Sequence, residues 1–109
     1  MTHFIVCYDK EGRETPPIEE KLVSLSGIRL LDSVWIVSLN LSAEALRDEL
    51  RRVSNPNLEP RCIFEDSIFV MEIPNGCNWS SVNAQGYAVI WLANNIREPS
   101  RASDSHETA

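Results

Sequence analysis

No stretch of this sequence approaches the ~18 consecutive apolar residues that a membrane span needs, and residues 1–9 carry neither a basic n-region nor a cleavage site. The expectation is a cytoplasmic protein with no membrane partner. Cysteine is scarce: Cys7, Cys62 and Cys77 are odd in number and no two form a CxxC pair, which argues against a disulfide framework and against a zinc site. Cys7 and Cys62 fall in apolar stretches and read as buried, inert thiols. There is no glycine-rich phosphate loop, no nucleophile elbow and no candidate triad built on a histidine in a structured segment, so enzymes of those classes are excluded. His3 and His106 have no partners at a spacing that suggests a base or a metal site. No internal repeat occurs.

Positive charge is also short. Ten Lys and Arg stand against 16 Asp and Glu, leaving a net charge of −6 and a pI of about 4.8. Such a chain repels phosphate backbones at long range, which disfavours nucleic acid as a partner unless a local basic patch or a bridging metal intervenes. Arg47, Arg51 and Arg52 read as a solvated helix face rather than such a patch.

What is present suits one domain. The chain has 109 residues, 43% apolar and 24% charged, an ordinary globular balance that leaves no room for separate catalytic and regulatory halves. Residues 1–96 form the expected domain, and 97–109, REPSRASDSHETA, has almost no apolar residues and reads as a disordered tail.

His3 to Tyr8 is rich in β-branched and aromatic residues and is bounded by Asp9 and Gly12, which predicts a strand. Thr15-Pro16-Pro17 predicts a helix start with Thr15 as N-cap; Ile18, Leu22 and Leu25 make its apolar stripe, Glu19 and Glu20 suit its N-terminal end, and Gly27 ends it. Ile28–Leu31 and Val34–Leu39, separated by Asp32-Ser33, predict a hairpin with a tight or bulged connection. Ser42 caps a second helix with Ala43, Leu46, Leu50 and Val53 on one face. Asn55-Pro56-Asn57 breaks it, Ser67–Ile73 is a further strand, and Gln85–Ile96 a C-terminal helix anchored by Trp91 and Leu92.

Strand, helix, strand, strand, helix, strand is the ferredoxin-like βαββαβ order: an α+β fold with an antiparallel sheet and two helices on one face. If the other face met water, the strands should alternate apolar and polar residues. They do not, for Phe4, Val6 and Tyr8 oppose Ile5 and Cys7, and Ile68 and Val70 oppose Phe69, Met71 and Ile73. Two helices cover only one face. The segment 74–96, rich in Asn, Ser and Gly, reads as a small lid, so the expected cover for the second face is another copy of the chain, packed sheet to sheet as a homodimer.

The order FIVCYD, a glycine-terminated helix, LLDSVWIVSL, SAEALRDELRR and EDSIFVMEI resembles the small CRISPR-associated adaptation proteins of the ferredoxin-like, metal-dependent nuclease group, with the virulence-associated protein D toxins as more distant relatives. The likeness runs from about Phe4 to Ile73. It implies a homodimer packed through its sheets and, in nuclease-active members, a magnesium ion shared by the aspartate ending the first strand and its symmetry mate. By position that residue is Asp9, which makes Asp9 the candidate catalytic and metal-binding residue and Mg²⁺ the candidate cofactor. The sequence departs from the group in the weakly basic loop KEGRETPP, in Leu31 where glutamine is common, and in its C-terminal portion, which resembles instead stand-alone bacterial relatives without an assigned activity. Two functions follow: a non-catalytic dimeric module acting through a protein partner, or a Mg²⁺-dependent endonuclease on RNA or DNA. Without the resemblance Asp9 reads as an Asx-turn residue, and Trp35, Trp79 and Trp91 read as packing residues.

Overall fold

The computed structural model describes residues 1–60 and 65–100. Four strands form one antiparallel sheet: β1 (Thr2–Tyr8), β2 (Ile28–Leu31), β3 (Val34–Leu39) and β4 (Ile68–Ile73), in the spatial order β2-β3-β1-β4. β1 lies antiparallel to both β3 and β4, and β3 antiparallel to β2. Consequently β1 and β2 run the same way with β3 between them, and β3 and β4 run the same way with β1 between them. The helices α1 (Pro17–Ser24) and α2 (Ala43–Arg51) connect these two split units, and α3 (Gly86–Asn95) follows β4.

Local chemistry explains most boundaries. Ser42 caps α2 by accepting the Ala45 amide at 3.0 Å, as the sequence predicts. Thr15 does not cap α1: the residue before the helix is Pro16, extended and without a side-chain cap bond, and Pro17 takes the first helical position. A proline there has no N–H to leave unsatisfied, so the side-chain cap is dispensable. The left-handed residue that closes α1 is Ser26, at φ 60°. Gly27 is needed for a different reason, because a Cβ there would lie 2.8 Å from the Leu22 carbonyl oxygen and 3.1 Å from the Trp35 ring.

The register sorts the strand residues onto two faces. Phe4 opposite Val37, and Val6 opposite Trp35 and Val70, look toward α1 and α2; with Ile18, Leu22, Leu46 and Leu50 they form a core of fully or almost fully buried side chains. Ile5, Ile36 and Ile73 look the other way, where Ala88, Leu92 and Ile96 of the α3 segment pack on them. The chain's own 74–96 segment therefore covers much of the face expected to await a second copy. Its Asn and Ser residues conceal three apolar side chains at helical spacing, Ala88, Leu92 and Ile96, which are enough to build a second core.

Coverage stops at the end of β1 nearest Asp9. Phe69, Cys7, Val34 and Leu31 form a row across all four strands; Phe69 is 59% and Leu31 45% exposed, and Met71 in the next row is 52% exposed. Residues 97–100, expected to begin the tail, are tied down: the Arg97 amide donates to the Leu92 carbonyl at 3.1 Å and the Ser100 amide to the Trp79 carbonyl at 2.8 Å. The rest of the expected tail, with His106, lies outside the described residues, as does Cys62. Among the described residues no helix is long and apolar enough to cross a membrane.

Candidate functional site

Asp9 stands just past the end of β1, where its amide donates to the Ser67 carbonyl at 3.2 Å and the Tyr8 amide to the Ser33 carbonyl at 3.2 Å. It lines a shallow depression of 340 Å³ with Cys7, Tyr8, Ser33, Ser67, Ile68 and Phe69. The side chain is exposed, and among the described residues no hydrogen bond or ion pair holds its carboxylate. The turn that follows forms without it: Glu11 at φ 52° and Gly12 at φ 81° occupy the two central positions, and the Arg13 amide closes onto the Lys10 carbonyl at 3.0 Å. These are the angles of a type I′ turn, which backbone geometry alone sustains. The Asx-turn explanation of Asp9 thus lacks its defining bond. Glu11 is exposed in that turn.

Behind Asp9, on the helix-covered face, lies a buried polar cluster that the sequence reading missed. Tyr8 donates its hydroxyl to Glu19, and the Trp35 indole N–H donates to the Tyr8 oxygen at 2.9 Å. The Arg29 guanidinium sits 3.1 Å from Glu19 and 4.8 Å from the Trp35 ring centroid. Lys10 completes the cluster, 3.6 Å from Glu19 and 2.8 Å from Asp32. Burial pushes the Glu19 carboxyl up, but the bonds from Tyr8 and Arg29 and the charges of Arg29 and Lys10 outweigh it and hold the carboxyl below its ordinary range. Burial first, and the bond to Glu19 second, raise the Tyr8 phenol well above its ordinary value. Glu19 was legible only as a helix-start acid; the missed signal is that Tyr8 and Trp35 share one buried face and each needs a polar partner there.

The arginines of α2 are neutralised in place. Arg47 reaches Glu44 and Asp48, Arg51 pairs with Asp48 and Glu65, and Arg52 lies 3.7 Å from Glu49. They offer phosphate little uncompensated charge. His3 is held by Ser38 at 2.7 Å and meets the Trp91 ring edge-on at 4.9 Å between centroids, a packing arrangement.

Neither a protein-family model, nor a curated protein, nor a solved structure matches this chain. Among the described residues no group of three or more His, Cys, Asp or Glu side chains could hold a metal ion. At this depression one chain offers the Asp9 carboxylate, and Mg²⁺ takes one or two carboxylates together with waters or substrate phosphates.

Proposed function

We propose that this chain is a ferredoxin-like homodimeric module, related to the CRISPR-associated adaptation group, that acts through a protein partner and has no catalysis of its own. The two interlocked split βαβ units support the ferredoxin-like arrangement. The observation that carries the dimer is the uncovered row Phe69, Cys7, Val34 and Leu31, with Met71 beside it. It bears no charge, so two copies of net charge −6 can meet there without opposing like charges. The outer side of α3, where Tyr87 and Ile90 are exposed, supports the protein-partner part of the reading.

Sedimentation at micromolar concentration tests the dimer. The wild-type protein should sediment as a dimer, and Phe69→Lys, which sets an ammonium at the most exposed residue of the row, should sediment as a monomer with an unchanged circular-dichroism spectrum. A concentration-independent monomeric mass for the wild-type protein would remove the reading.

A second reading, a Mg²⁺-dependent endonuclease acting on RNA or DNA, is favoured by one observation: the Asp9 carboxylate is exposed and unpartnered among the described residues, and Cys7 and Phe69 belong both to its depression and to the open row. A dimer built on that row would bring two Asp9 carboxylates toward one another. Such a pair could hold Mg²⁺, which supplies an activated water against a phosphodiester.

A further inference from the structure

Between the sheet and the 74–85 loop runs a groove of 590 Å³, inside the range of small-molecule sites. Ile5, Met71 and Ile73 make its floor, Leu92 of α3 one side, and Trp79 and Val82 of the loop another. Asn78, Ser80 and Ser81 are its polar lining residues, and no lining residue is charged. That is unusual company in a chain with 26 acidic and basic residues (10 plus 16).

The loop wall is fixed although it has no regular secondary structure. The Gly76 amide donates to the Ile96 carbonyl at 3.1 Å at one end, and the Gln85 amide to the Leu30 carbonyl at 3.1 Å at the other. Midway, the Trp79 indole N–H donates to the Arg97 carbonyl at 2.6 Å, and the Trp79 carbonyl accepts from Ser100. A loop of this length that is pinned at both ends and in the middle keeps its groove open without a ligand, and pre-formed walls spare a ligand the cost of ordering them.

From this lining we propose that the groove binds an uncharged, largely apolar small molecule with one hydrogen-bonding end, of the class of medium-chain alcohols and amides. The carbon-lined floor takes the chain, and the amide of Asn78 or the hydroxyls of Ser80 and Ser81 take the end group. An ionised end is rejected, because it would be desolvated against a lining that offers no counter-charge. This site goes beyond the dimer reading and does not depend on it, although Leu31 and Met71 border both surfaces.

The neutral dye Nile red, titrated into the full-length protein, tests the proposal. Its fluorescence should rise saturably to one site per chain, decanol should displace it, and decanoate at about pH 8, where it is ionised, should not. Decanol should also slow alkylation of Cys77, which lines the groove, by N-ethylmaleimide. Ala84→Phe, which projects a ring into the groove from the loop, should weaken the dye about tenfold, and Phe69→Lys, outside the groove, should leave it bound whether or not the dimer survives. Absence of a saturable rise, equal displacement by decanoate, or unslowed Cys77 alkylation would overturn the proposal. Loss of the dye in Phe69→Lys would overturn it too, by placing the dye in the dimer contact.

Discussion

The two faces of the sheet come from alternate residues of the same strands, yet they are finished differently. Toward α1 and α2 the core is sealed: Phe4, Val6, Ile18, Leu22, Leu46 and Leu50 are all completely buried, and a rim of ion pairs surrounds them. Every ion pair among the described residues lies between Lys10 and Asp66. Toward α3 the core is thinner, with Ile73, Leu92 and Ile96 retaining 6 to 8% exposure, and from Ile73 to Ile96 there is no charged residue. Charges on a rim cost little where water is the neighbour and much where another molecule must land. The α3 side omits them and exposes Phe69, Met71, Tyr87 and Ile90; under the dimeric reading proposed above, that is the side on which another molecule would land.

The largest effect that could break this contrast is in the cores. Leu22→Ala, in the sealed core, should cost about 3 kcal/mol, and Leu92→Ala, in the thinner one, about 2 kcal/mol, measured by urea unfolding with one transition followed by two probes. Equal costs would mean that α3 is as integral as α1, and the contrast between the two cores would fall.

Glu19→Gln sharpens the charged side of the contrast. It should remove about 2 kcal/mol near neutral pH, because Arg29 and Lys10 then face a neutral amide in a buried cluster. The Glu19 carboxyl titrates below its ordinary range when folded, so the unfolded chain takes up its proton first as pH falls. The stabilisation is full above the ordinary carboxylate range and is lost as the pH drops through the folded value. The gap between wild-type and Glu19→Gln should therefore close in acid; a gap that is constant with pH would show that the cluster acts through shape rather than charge.

Much of this was legible from local chemistry. The strands, the Asp32-Ser33 hairpin and the Ser42 cap depend on residues adjacent in sequence, and each appears where its residues predict. Failures began where partners are distant. Thr15 lost its capping role to the two prolines beside it, Glu19 acquired a buried role from Tyr8 and Trp35 on other elements, and the segment 74–96 was taken for a small lid because its Asn, Ser and Gly residues masked the spacing of Ala88, Leu92 and Ile96. For Asp9 the position at the strand end was legible, but the absence of an Asx bond among the described residues was not, since that depends on the conformation that Asp9 and Lys10 adopt in the folded chain.

The smallest expected effect belongs to Asp9. Its carboxylate accepts no hydrogen bond from the described residues, so Asp9→Asn should change the stability of the metal-free protein by less than about 0.5 kcal/mol. If the dimer sets two Asp9 side chains close together, their repulsion is relieved by the substitution, and the shift should be toward greater stability. For a non-catalytic module, millimolar Mg²⁺ should leave the melting temperature of the wild-type protein unchanged, and single- and double-stranded RNA and DNA should survive incubation. A paired metal site behaves otherwise: Mg²⁺ raises the melting temperature by mass action, cleavage accompanies it, and both vanish in Asp9→Asn while the dimer persists. That outcome would turn the charge-free row from a contact surface alone into the scaffold of a shared active site.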